Sequence, residues 1–67
     1  MVKKKIVLKN TGSNLAWFNY QKASTLTTEM QVKIEPGQSK TIFTIDGTLN
    51  WDSVSFKITI LSESDFS

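Results

Sequence analysis

Apolar and polar residues alternate with a period of two along most of this 67-residue chain, and this constrains the fold more than any other feature. Between residues 25 and 35, for example, every apolar residue is even-numbered and every odd-numbered residue is polar. Such alternation is typical of a β-strand with one buried and one solvated face. A helix needs apolar residues three and four positions apart, and no segment sustains that spacing. The sequence therefore predicts an all-β protein.

Turn motifs divide the alternating runs. Residues 10–14 form a polar loop that contains a glycine, Pro36-Gly37 has the chemistry of a type II turn, and Asp46-Gly47 is a further turn signal. The runs between them predict a small antiparallel β-sandwich or partly open barrel of about five strands. The strands are expected near residues 2–9, 14–21, 25–35, 39–46 and 53–61.

The last predicted strand is preceded by a change of phase. Leu49 and Trp51 are odd-numbered, whereas the apolar residues from Val54 onward are even-numbered. A one-residue shift turns a strand over, so a loop or bulge is expected around Asp52-Ser53. Residues 1–61 are expected to form a single β domain, and residues 62–67 a polar tail that stays loose unless something docks it.

The chain has neither cysteine nor histidine. Their absence excludes disulfides, Ser-His and Cys-His catalytic pairs, and the commonest zinc ligands. The glycines all lie in turns, so no phosphate-binding loop is present. A glycosidase-like carboxylate pair and a calcium site at Asp46, Asn50 and Asp52 stay open as minor alternatives. We expect a protein that is not an enzyme and needs no cofactor or metal.

A domain of this length buries only about 60% of the surface of its unfolded chain, and this one has no covalent staple. Association with other chains or unusually good packing is left to supply the missing stability, and association is the one expected. The segment Leu15–Tyr20 carries bulky residues on both parities, so both faces of that strand need cover. One face can meet the core, and the other is expected to be covered by a loop, another domain or another chain. The expected interface residues are Trp17, Phe18, Tyr20, Trp51 and Phe66.

The N-terminal strand is basic, in a chain with eight lysines, no arginine and a net charge of +2. Lys3, Lys4, Lys5 and Lys9 could contact phosphates while the aromatic residues stack on bases. The competing interpretation is that these lysines protect an exposed strand edge. A sequence-nonspecific nucleic-acid-binding barrel is thus one alternative function, and a carbohydrate-binding module is another.

Neither a transmembrane span nor a signal peptide is expected. No apolar stretch approaches the length that crosses a bilayer. The apolar run after the N-terminal lysines has only three residues, too few for the apolar region of a signal peptide. The sequence therefore predicts a protein that is used without secretion and without membrane contact.

Two stretches carry a family resemblance, residues 34–43 and residues 5–12. A strand followed by Pro-Gly-Gln-Ser and a second apolar strand resembles many β-sandwich modules. The whole chain, rich in serine, threonine and asparagine, resembles the small β proteins of tailed bacteriophage particles. That resemblance implies a non-enzymatic virion subunit that decorates or stabilises the capsid or associates with the tail. Its partners would be a larger shell or tail protein, or copies of itself.

Overall fold

The computed structural model describes residues 2–66. Within that range the chain forms five β-strands and no helix. The strands are β1 (Lys3–Asn10), β2 (Ala16–Gln21), β3 (Thr28–Ile34), β4 (Ser39–Ile45) and β5 (Ile58–Phe66). They make a three-stranded antiparallel sheet in the order β4-β1-β5 and a two-stranded antiparallel sheet of β2 and β3. The all-β prediction is confirmed.

The two sheets meet where β2 runs onto the free edge of β4. Lys22 pairs with Thr44 in an antiparallel bridge, and the amide of Ala23 donates to the carbonyl of Phe43 at 3.0 Å. The buried hydroxyl of Thr44 also donates to the carbonyl of Gln21 at 3.0 Å. These bonds join the two sheets, and β3 and β5 are the outermost strands.

The core lies between the sheets and is thin. On β1 the even-numbered Ile6 and Leu8 point into it, and Phe18 of β2 faces them with no exposed surface. The remaining members of this buried cluster are Ala16, Ile34, Ile42 and Ile58. Alternation along β1 and at the start of β2 therefore selects the buried face, as the period of two predicts.

Asn10 was predicted to lie in the polar loop of residues 10–14, but it lies in β1. It is the last residue of β1 and is completely buried. Its side-chain amide donates to the carbonyls of Asn14 at 2.8 Å and Ile34 at 2.9 Å, and its Oδ1 accepts from the amide of Gly12 at 2.9 Å. One side chain thus joins β1, the loop after it and the end of β3.

The sequence of β3 predicts that its even-numbered residues are all on the buried face, and the structure shows that they are not. Ile34 is buried, but Met30 is 66% exposed. The pairing with β2 shifts by one residue between Phe18 and Tyr20, because β3 contains one extra residue there. Gln31 takes a left-handed φ of 55° at this bulge, and its amide donates to Oδ1 of Asn19 at 2.8 Å. The even-numbered residues of β3 therefore face the core at Val32 and Ile34, on one side of the bulge, but face solvent at Met30, on the other side.

We expect Gln31→Gly to raise the free energy of unfolding by about 0.5 to 1 kcal/mol. A left-handed φ is strained for a residue with a Cβ and free of strain for glycine. Lys33→Gly is the control, since Lys33 is exposed on the same strand and has no positive φ. It should lower the same free energy by about 0.5 to 1 kcal/mol. Urea denaturation measures both, and an equal loss in the two variants would contradict the bulge geometry.

The fifth strand lies further along the chain than predicted. Residues 53–55 form a turn rather than the start of a strand, and Val54 is 95% exposed instead of buried. Residues 62–66, predicted as a loose tail, belong to β5, where Phe66 pairs with Lys3 of β1. The second edge of β1 needs hydrogen-bonding partners, and this segment supplies them. Met1 and Ser67, which the predicted domain and tail include, lie outside the described residues.

Candidate binding surfaces

The predicted aromatic interface is mostly occupied within the chain. Phe18 has no exposed surface, so its prediction as an interface residue is wrong. Trp17 points to the other side of β2, where its ring meets that of Phe56 edge-on at 5.1 Å between centroids. The ring of Tyr20 lies 5.8 Å from that of Phe18. Both faces of β2 are therefore covered at least in part by the protein's own residues.

The other two predicted interface residues lie in different places. Trp51 is half-buried against the core, as Tyr20 is. Phe66 lies on the far side of the three-stranded sheet, where its ring is perpendicular to that of Phe43 at 5.3 Å. The structure thus gathers Phe18, Tyr20 and Trp51 around the core and separates Trp17 and Phe66 from them.

The basic strand β1 is the centre of its sheet, paired with β4 on one side and β5 on the other. Its lysines therefore do not protect an exposed edge, and that interpretation is wrong. Lys4 lies on the same face as the core residues, with Nζ 3.0 Å from Oε1 of Glu63 and 3.3 Å from Oδ1 of Asp65. Its hydrogen bonds to these two carboxylates raise the pKa of Lys4 above its usual value. This ion-pair cluster was missed because both acids lie in the predicted tail.

The other three predicted phosphate contacts, Lys3, Lys5 and Lys9, share the opposite face. We call this the outer face: the odd-numbered residues 3–9 of β1 with their partners among residues 39–43 of β4 and on β5. It carries three lysines, two phenylalanines, one valine and otherwise only serines and threonines. No acidic residue lies on it. Alternation along β1 already separates Lys4 from the other three, but only the strand pairing shows that no acidic residue lies beside them.

A tight turn at residues 52–56, which we call the Asp52 turn, presents one apolar side chain to solvent. Oδ1 of Asp52 accepts from the amide of Val54 at 3.0 Å, and Oδ2 accepts from the hydroxyl of Ser55 at 2.9 Å. The amide of Phe56 donates to the carbonyl of Asp52 at 2.9 Å. The bonds from Ser55 and from the amide of Val54 lower the pKa of the Asp52 carboxyl. Val54 stands at the tip of this braced turn.

The described side chains give little support to the two minor alternatives, a calcium site at Asp46, Asn50 and Asp52 and a glycosidase-like carboxylate pair. Both carboxylate oxygens of Asp52 are used by its own turn, and Oδ1 of Asn50 accepts from the side-chain amide of Asn19 at 3.3 Å. Within residues 2–66 no three histidine, cysteine or acidic side chains cluster in a way that could hold a metal ion. The two acids that do approach each other, Glu63 and Asp65, share Lys4.

A polar groove of about 390 Å³ lies between the loop after β1 and the Asp52 turn, lined in part by Asn14, Ser55 and Lys57.

Residues 2–66 include no helix that could cross a membrane. No family model, curated protein or solved structure matches the chain.

Proposed function

We propose that this protein is a non-enzymatic structural subunit that binds to other protein chains in a larger assembly. In the form that the family resemblance implies, the assembly is a tailed-bacteriophage particle, and the subunit decorates or stabilises its capsid or associates with its tail. The protein would then be located in the virion after assembly in the host cytoplasm. The observation that carries the proposal is the Asp52 turn and the apolar side chain that it holds out.

The side chain of Val54 is 95% exposed. This exposure belongs to an ordered turn and not to a loose loop, because the side chain and the carbonyl of Asp52 accept hydrogen bonds from the residues that follow. Complete burial of a valine side chain stabilises a complex by roughly 1.5 to 3 kcal/mol. A turn that is already ordered loses little conformational entropy when a partner covers it. Val54 is therefore suited to fill a pocket on another chain.

The thin core supports the same proposal. Among residues 2–66 only nine apolar side chains are buried, and the chain has no disulfide. Domains of this size commonly gain the missing stability from a partner. The bulge residue Leu61 on the outermost strand β5 is also 53% exposed, which adds apolar surface for a neighbour to cover.

The test compares Val54→Asp with Gln38→Asp. Both positions are exposed in turns, and both changes add one negative charge. Each variant is produced in the cells that make the protein, and the fraction that sediments with purified particles is measured. We expect Val54→Asp to remain folded by circular dichroism but to be lost from the particles, whereas Gln38→Asp stays bound. Sedimentation of Val54→Asp at the wild-type level would overturn the role of the turn.

A further inference from the structure

We propose that the outer face of the three-stranded sheet binds single-stranded nucleic acid, with phosphates held by Lys3, Lys5 and Lys9 and bases stacked on Phe43 and Phe66. This proposal is independent of the assembly proposed above, which rests on the Asp52 turn.

The charges on the outer face are of one sign. Lys3, Lys5 and Lys9 extend from a single strand, and neighbouring outward positions on a strand are about 6.8 Å apart. The ion pairs found among residues 2–66 engage Lys4 and Lys22, so the ammonium groups of the outer face have no carboxylate partner there. Lys57 continues the pairing of β5 with the end of β1, because its carbonyl accepts from the amide of Thr11 at 2.9 Å. It adds a fourth positive charge beside this face.

The acidic residues of these three strands all lie on one face of the sheet. Glu63 and Asp65 lie on the core-side face, where they neutralise Lys4. Among residues 2–66 no carboxylate forms an ion pair with the lysines of the outer face, although the net charge of the protein is only +2. A face that served only solubility would be expected to mix both signs. Because β1 is the central strand, its lysines have no edge to protect. Segregated positive charge of this kind is complementary to a polyanion.

Two aromatic rings stand beside these charges. Phe43 is the cross-strand partner of Lys5, and Phe66 is the partner of Lys3, so the two rings meet across β1. Phe43 is 51% exposed. A depression of about 260 Å³ opens beside both rings and is also lined by Lys3, Ala23 and Ser24. Aromatic rings next to a basic groove are the arrangement on which unpaired bases stack, whatever their sequence.

The chemistry favours a single strand over a duplex or an anionic membrane. Bases of a duplex are stacked on each other and cannot reach Phe43, and the chain has no arginine for bidentate reading of base edges. A lipid surface would use the lysines but not the stacking geometry of the rings. Binding should therefore be blind to sequence, and it should weaken as salt displaces the protein from phosphates.

The experiment measures fluorescence anisotropy of a labelled oligothymidine with the full-length chain. Three phosphate contacts predict a slope of log affinity against log salt of about −2, which is about a 20-fold loss between about 50 mM and about 200 mM salt. A duplex of equal length and vesicles containing phosphatidylserine are tested in parallel. Tighter binding to the duplex, binding to the vesicles alone, or no binding to the oligonucleotide at the lower salt concentration would overturn the proposal.

Matched variants locate the site. Lys5→Gln should weaken binding and reduce the salt slope by about 0.7. Lys40→Gln removes the same charge from an exposed position on the opposite face of this sheet, and it should leave both quantities unchanged. Phe43→Leu should weaken binding with an unchanged slope, because it removes a ring and no charge. Equal effects of Lys5→Gln and Lys40→Gln would show that net charge, not the outer face, holds the strand.

Discussion

Replacing Phe18 with alanine is expected to lower the free energy of unfolding by about 4 kcal/mol, the largest effect of any single change considered for this chain. Phe18 is the largest side chain with no exposed surface, and it packs with Leu8 and the rest of the core cluster. Its removal leaves a cavity that a thin core cannot close. A loss of this size is most of the stability of a small domain. Urea denaturation followed by circular dichroism measures it.

Phe43→Ala is the control, since the same atoms are removed from a ring that is 51% exposed. It should cost about 1 kcal/mol. The comparison also separates two roles for Phe18. An interface residue, as the sequence alone suggests, would leave the stability of the free chain nearly unchanged when truncated. Similar small losses in both variants would therefore contradict the buried position of Phe18.

Asn10→Ala is expected to lower the free energy of unfolding by about 3 kcal/mol. The change removes three hydrogen bonds at once and leaves the amide of Gly12 and the carbonyls of Asn14 and Ile34 without this partner. Each such bond contributes about 1 kcal/mol, and a buried group left unpaired costs more. The measurement is again urea denaturation at neutral pH.

Two further variants test the cause. Asn14→Ala changes the same residue type at an exposed position and should cost about 0.5 kcal/mol or less. Asn10→Asp keeps the acceptor for Gly12 but replaces both donors by an anion that faces two carbonyls. It should be as damaging as alanine at neutral pH and recover partly in acid, where the carboxyl is protonated. Full stability of Asn10→Asp at neutral pH would contradict the donor roles.

The parts of the fold that depend on neighbouring residues were predictable. Pro36-Gly37 forms its turn, with Gly37 at a φ of +78° and the amide of Gln38 donating to the carbonyl of Glu35 at 3.0 Å. Gly47 likewise takes a positive φ of 83°. The first four strands lie close to their predicted positions because alternation and turn chemistry are local properties.

The misplaced parts depend on contacts between distant residues. Val54 and Phe56 continue the alternation of β5, but Asp52 caps a turn there and ends the strand pattern. The acidic end of the chain joins β5 through its pairing with β1 and the ion pairs of Lys4, which no local pattern records. The bulge at Gln31 likewise exists only in relation to β2.

The candidate surfaces were predictable only in part. The lysines of β1 were identified from the sequence, and alternation separates Lys4 from the other three, but only the strand pairing shows that their face carries no acid. The aromatic segment of β2 indicated a covered strand correctly, yet much of the cover comes from the chain itself, with Phe56 over Trp17. Val54 was predicted to lie on the apolar face of the fifth strand, and the Asp52 turn instead makes it the candidate contact.

We propose that this small β domain works as part of a larger protein assembly. The native mass of the purified chain, measured at micromolar concentration alone and after mixing with particles from the cells that make it, tests this claim most directly. Assembly predicts either a mass of several copies or transfer of the chain to the particles. A stable 7.6 kDa monomer that binds no particle would contradict it.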